Sequence, residues 1–220
     1  MAVENKLVIP KNLSDQIYDI ILKNIIAGKY KAGDRIDTQK LVKEFNISRS
    51  PIKDALNKLH GAGIIDISPR IGHYVRKLTK NELVDLFEFR LILETSAIRK
   101  ALRSPTEKEF DLLRNNVEQS IKTAKNSEIS MIKIFELDKE FHRILVSLAQ
   151  NYLMSKIHNN IHILSHAVRT QFVETHERTV AAQNEHKEIL ESIESKDIRK
   201  IESAITMHLK NAENFLLKYF

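Results

Sequence analysis

The chain has 220 residues, 42% of them apolar and 29% charged, enough to build cores for one large domain or two modest ones. It has no cysteine, which removes disulfides, thiolate metal ligands and cysteine nucleophiles at once. No run of about 18 consecutive apolar residues occurs, and residues 1–10 carry an acid and too short an apolar run for a signal peptide, so a soluble cytoplasmic protein without a membrane partner is expected. The net charge of +6 is unevenly placed. Through Leu78 there are 14 Lys and Arg against 8 Asp and Glu, and beyond it 21 of each. A basic first third joined to a neutral remainder points to two domains, 1–78 and 79–220, of which the first meets phosphates.

Residues 1–12 read as a loose arm. Leu13, Ile17, Ile20, Ile21 and Ile25 then recur at helical spacing, with Ser14 and Asp15 near the start and Gly28 past the end. Gly33 marks a turn, and Asp37 is a candidate cap for the next helix. The stretch T-Q-K-L-V-K-E-F-N-I-S-R-S-P-I-K-D-A-L-N-K-L, residues 38–59, reads as two short helices around a tight turn. Leu41, Val42 and Phe45 face inward on the first, and Asn46, tolerant of a left-handed backbone, sits where it must stop. Ser48 or Ser50 can cap the second, and Pro51 is harmless in a first turn because its missing amide has no partner to lose. Ile52, Ala55, Leu56 and Leu59 share one face, which leaves Ser48, Arg49, Ser50 and Lys53 outside at the helix start, where a helix-turn-helix presents side chains to the major groove. A structural αα-hairpin would give the same pattern. The sequel favours the DNA reader: Gly61, Ala62 and Gly63 end the helix, and I-I-D-I-S and H-Y-V-R-K-L form two β-runs around a Pro/Gly turn, with Arg70 and Gly72 at the wing.

Beyond Leu78 the chain reads as six helices, about 80–103, 106–124, 129–149, 152–172, 178–194 and 197–219, broken near Pro105, Asn126, Asn151 and Ser195-Lys196. The expected fold is thus mostly α: an N-terminal winged helix-turn-helix and an all-α six-helix bundle.

Polar residues interrupt the bundle's apolar faces. Asp138 and His142 lie one turn apart within the stripe of Ile134, Phe141, Leu145 and Leu148; His186 lies among Ala182, Ile189, Leu190 and Ile193; His208 lies among Ile201, Ala204, Ile205 and Ala212. A lone inward histidine is usually a satisfied core residue. Three imidazoles and a carboxylate aimed at one interior have the composition of a divalent metal site, for zinc, nickel, iron or manganese. Arg90 shares a face with Leu83, Phe87, Leu93 and Ala97 and needs a carboxylate, from Glu94 one turn on or from a ligand. His158, His162 and His166 flank the stripe of Ile157, Ile161, Leu164 and Val168 and read as a solvated or pocket-rim edge.

Residues 13–78 resemble the DNA-binding domain of GntR-type transcriptional regulators, on A-G-D-R-I, L-V-K-E-F-N-I-S-R-S-P-I-K-D-A-L, G-A-G-I-I and the wing with Arg70 and Gly72. They depart from the usual pattern at Lys53, mostly arginine in the family, and at Ser50, mostly threonine. The remainder is similar to the FadR-like ligand domain, the FCD type, on D-L-F-E-F-R-L-I-L-E, D-K-E-F-H, N-Y-L, E-H-K-E-I-L and M-H-L. The resemblance implies a dimeric, ligand-responsive regulator, more often a repressor than an activator. It also implies a site in which Asp138, His142, His186 and His208 hold the metal and a small organic acid binds against it, clamped by basic side chains such as Arg90. Two alternatives remain at this stage: a metal-dependent hydrolase, since His and Asp ligands are equally a catalytic set, and an architectural DNA binder with no effector.

Overall fold

The computed structural model describes residues 12–69, 71–103, 107–125, 131–169 and 176–220. The chain forms two compact units that divide between Arg76 and Lys77. Among the described residues no helix is long and apolar enough to cross a membrane. The arm at residues 1–11, the breaks at Pro105 and Asn126, and Arg70 lie outside the described residues.

The first unit runs α1 (Leu13–Ile26), β1 (Arg35–Ile36), α2 (Thr38–Phe45), α3 (Arg49–Gly61), β2 (Ile65–Ser68) and β3 (Gly72–Val75), a winged helix-turn-helix. Each boundary has a local cause. Asn12 caps α1 by accepting from the Asp15 amide at 2.9 Å. Asp37 caps α2 by accepting from the Gln39 and Lys40 amides at 2.8 and 3.2 Å. Asn46 ends α2 at φ 50°, ψ 47°, the left-handed conformation that a short amide side chain tolerates. Ser48 holds the N-cap position of α3, yet its hydroxyl makes no capping hydrogen bond. The buried face of α1 is Ile17, Ile21, Leu22 and Ile25, whereas Leu13 and Ile20, expected inside, are exposed. Packing against α3 selects that narrower stripe. A third strand joins the two expected ones: β1 pairs antiparallel with β3 through Arg35↔Tyr74 and Ile36↔His73, giving the order β1-β3-β2. At two residues it is too short to show any alternation in sequence.

The second unit comprises α4 (Lys80–Ala101), α5 (Glu107–Ala124), α6 (Met131–Ser147), α7 (Tyr152–Arg169), α8 (His176–Glu194) and α9 (Ile198–Leu217). Gln150 and Lys196 take positive φ at the breaks before α7 and α9. Helix α6 packs against α4, α5, α7 and α8, so its inward face is the middle of the bundle. Phe141, Ile144, Leu145 and Leu148 of α6 join Leu83, Phe87, Leu113, Ile189, Ile205 and Leu209 in one apolar cluster. That cluster surrounds Asp138 and His142, which are 0% and 1% exposed.

Thr79 starts α4 with a reciprocal capping box: its hydroxyl accepts from the Glu82 amide, and Glu82 accepts from the Thr79 amide at 2.8 Å. Thr79→Ala is expected to cost about 1 kcal/mol of stability, read as a lower urea midpoint with unchanged slope, and Thr79→Ser to recover most of it. Identical midpoints for Thr79→Ala and the parent would show that the box adds nothing.

Candidate metal centre and DNA-reading surface

In the second unit, helical spacing on α6 places Asp138 and His142 one above the other, while α8 and α9 each bring one imidazole to them. The Nε2 atoms of His186 and His208 lie 3.3 Å apart, and those of His208 and His142 lie 3.2 Å apart. Asp138 turns Oδ1 toward His186 Nε2 at 3.7 Å. Phe141 stacks on the His186 ring at a centroid distance of 3.9 Å and fixes its plane. The three expected imidazoles are therefore brought together with metal-ligand spacing, while Asp138 is grouped with His142 and His162; all of them are buried.

Two carboxylates that the sequence reading did not place here set the tautomers. His142 Nδ1 donates to Glu94 Oε2 at 2.9 Å, and His208 Nδ1 donates to Glu185 Oε2 at 2.7 Å. Each carboxylate is in turn held by an arginine. Arg90 Nε donates to Glu94 Oε1 at 3.0 Å, and the Arg178 fork donates to both oxygens of Glu185 at 2.9 and 3.1 Å. Burial works to raise the Glu94 carboxyl, but His142 and Arg90 outweigh it and hold the group well below the usual carboxylate range. At Glu185 burial is likewise outweighed, by hydrogen bonds from His208 and Arg178, and the carboxyl falls to about 2. Burial pushes His142 down to about 4 against the pull of Glu94, so its imidazole is neutral at pH 7.

The chemical consequence follows from counting protons. With Nδ1 of each ring turned to a carboxylate, His142 and His208 direct their Nε2 atoms at one another across 3.2 Å, that of His142 as a lone pair. A cation between them, a proton or a metal ion, satisfies both nitrogens. Two nitrogen ligands of a metal at about 2.0–2.1 Å are separated by about 3.0 Å at a right angle and about 3.4 Å at the tetrahedral angle, and the observed separations lie between. The three imidazole nitrogens fit a divalent ion, and Asp138, with Oδ1 3.7 Å from His186 Nε2, borders them.

Helix α7 corrects the sequence reading. His158 and His162 are 2% and 1% exposed, so the edge expected at the rim is buried; of the apolar stripe, Ile157 is 46% exposed while Ile161 and Leu164 still pack against the core. His158 Nε2 donates to Glu94 Oε1 at 3.3 Å, and His162 Nε2 lies 3.7 Å from Asp138 Oδ2. Asp138, His142 and His162 form a second group with metal-ligand spacing. The i,i+4 recurrence of His158 and His162 was the available signal; the more apolar Ile157 stripe masked it. The side chain of His166 lies outside the described residues. Arg90 is 2% exposed and meets Glu94 as one of its two expected partners, while its Nη2 has no hydrogen-bond partner among the described residues.

In the first unit Ser48, Arg49, Ser50 and Lys53 are exposed together at the N-terminal end of α3, above a face closed by Ile52, Ala55, Leu56 and Leu59. Lys58 fixes α3 to α1 by donating to Asp15 and Ser14 at 2.5 and 2.9 Å. Gly72 opens β3 at φ 142°, a conformation that L residues rarely adopt.

The family described as FCD domain matches residues 85–211, and the family described as bacterial regulatory proteins, gntR family, matches residues 13–75. The chain is similar to the uncharacterized HTH-type transcriptional regulator YdhC of Bacillus subtilis (strain 168), 26% identical across 89% of this chain and 87% of that one. It is 26% identical to the HTH-type transcriptional repressor RspR of Escherichia coli (strain K12), across 96% and 91%. In fold it matches E. coli McbR/YncC with a TM-score of 0.80 at 15% identity, across 94% and 98%. These families and relatives are regulators, so the hydrolase alternative for the histidine cluster falls away. With a winged reader at residues 13–75 and an FCD domain behind it, the chain belongs to the GntR family of bacterial transcriptional regulators.

Proposed function

We propose that this regulator is a dimeric repressor whose FCD domain holds a divalent metal ion and a small carboxylate effector, and whose winged domain binds two-fold operator DNA. Residues 1–78 serve as the reader and residues 79–220 as the sensor. The observation that carries the metal is the meeting of the buried Nε2 atoms of His142, His186 and His208 at 3.2 and 3.3 Å, with Glu94 and Glu185 on the Nδ1 side of two of the rings. Asp138, His142, His186 and His208 hold the ion; zinc suits the set, as do nickel, iron and manganese. When bound, the ion supplies a Lewis-acidic position for one oxygen of an organic acid.

The chain's own groups do the rest. Glu94 and Glu185 fix the imidazole tautomers, and Phe141 fixes the His186 plane. The unpartnered, buried Arg90 Nη2 is the donor offered to the effector's carboxylate. In the reader Ser48, Arg49, Ser50 and Lys53 contact bases and phosphates, with Arg70 and Gly72 at the wing. Dimerisation is supported by exposed apolar residues on two helices that pack together, Phe89 and Ile92 on α4 and Tyr152, Leu153 and Ile157 on α7. The relative RspR is a transcriptional repressor, which supports repression.

His142→Ala and His186→Ala lie on different helices and are each expected to lose bound metal, measured by elemental analysis of purified protein. A double variant that keeps one equivalent of metal would overturn the site. Glu185→Gln leaves shape but removes the charge that orders His208, and should weaken metal affinity by about 10–100-fold in chelator competition; unchanged affinity would strip Glu185 of that role. A screen of small carboxylates against metal-loaded protein should find one that raises the melting temperature and changes operator affinity by about 5–150-fold. The same acid should do neither in His208→Ala and should bind more weakly to Arg90→Ala. An acid acting at full strength on metal-free protein would sink the coupling while leaving DNA binding intact.

A further inference from the structure

Between the start of α3 and the wing lies a cleft of about 440 Å³ whose lining includes Arg35, Asp37, Thr38, Gln39, Arg49 and Gly72. Arg35 is exposed at the edge strand β1 and pairs in register with Tyr74 of β3. Its guanidinium lies across the backbone of Gly72: a Cβ added there would sit 3.1 Å from Arg35 Nε and 3.6 Å from Nη2. The missing side chain at the wing is therefore what lets Arg35 reach over the cleft. Among the described residues lining it only Asp37 is acidic, and its carboxylate is turned onto the α2 amides of Gln39 and Lys40. The remaining polar lining is two guanidiniums, a hydroxyl and an amide, a set of donors suited to phosphate oxygens.

The direction of the cleft gives those donors a ligand. A recognition helix whose N-terminal residues enter the major groove has the phosphodiester strand bordering that groove running past its start. Arg49 stands at that start and Gly72 on the wing beyond it, so the strand that passes between reader and wing passes over Arg35. We infer that Arg35 is a phosphate clamp: it holds one backbone phosphate of the DNA in the cleft, a contact made whatever the base sequence. The inference rests on the assignment of residues 13–75 as the DNA reader.

The test uses full-length protein and two duplexes of equal length, one from the region directly upstream of its own coding sequence and one with that sequence scrambled. Fluorescence anisotropy gives affinity across a salt series from about 50 to 200 mM. Arg35→Gln is expected to weaken binding to both duplexes by the same factor and to reduce the slope of log affinity against log salt by about 0.9, the loss of one phosphate contact. Arg35→Lys, which keeps the charge, should restore most of the slope. Arg49→Ala should instead narrow the difference between the two duplexes. A wild-type slope for Arg35→Gln on both duplexes overturns the clamp, and so does a loss confined to the upstream duplex, which would make Arg35 a base reader. If the wild-type protein binds neither duplex, the reader assignment itself fails and takes the clamp with it.

Discussion

A carboxylate buried as completely as that of Glu94 persists only because three side chains from three helices converge on it. Arg90 of α4 supplies charge, His142 of α6 a short hydrogen bond, and His158 of α7 a third donor. Removing a single partner from a buried pair of this kind costs about 3–5 kcal/mol, because the charge left behind stays desolvated. The spacing of α4, α6 and α7 is therefore tied to one residue, and the apolar cluster around them closes only where those contacts can be made. On the other side of the imidazoles Glu185 does the same for α8 and α9, with Arg178 from its own helix and Asn211 and His208 from α9.

The two carboxylates differ in surroundings. Glu94 is 0% exposed, whereas Glu185 and Arg178 keep side-chain exposures of 14% and 12%. One relay is sealed into the bundle and the other reaches its edge. Replacing such a centre by well-packed apolar residues of the same volume is often neutral or stabilising, so packing alone gives no reason to keep five imidazoles and three carboxylates in the middle of a six-helix domain. The polar centre makes sense as a site for something that binds there.

Much of this was legible in the sequence because the telling residues broke a pattern. Asp138, His142, His186 and His208 stood out on apolar stripes; Asn46 and Asp37 marked helix ends by chemistry that needs no tertiary context. The misses share one physical cause. Where the inward face of a helix is itself partly polar, hydrophobic periodicity misplaces it: α7 buries His158, His162 and Ser165 and exposes Ile157, while Ile161 and Leu164 still pack inward. Glu185 and Arg178 are charged residues seven apart on α8 that gain meaning only when α9 lays His208 against them. Arg35 belongs to a two-residue strand that exists through its pairing with the wing, which no local propensity reports.

The convergence of five helices on one point also says what kind of lever the sensor has. Glu94 lies on α4, Asp138 and His142 on α6, His158 and His162 on α7, His186 on α8 and His208 on α9, so any group that sets the distances among those side chains sets the distances among the helices that carry them. Packed interiors respond to such a demand by shifting helices as units, since side chains at crystal-like density have few intermediate arrangements. A ligand can bias that choice only by its difference in affinity for the alternatives. Glu94 and Glu185 sharpen the difference: they turn the Nε2 atoms of His142 and His208 toward each other at 3.2 Å, an arrangement that a cation between the two nitrogens favours. A group bound among these side chains would tie its own geometry to the spacing of the helices.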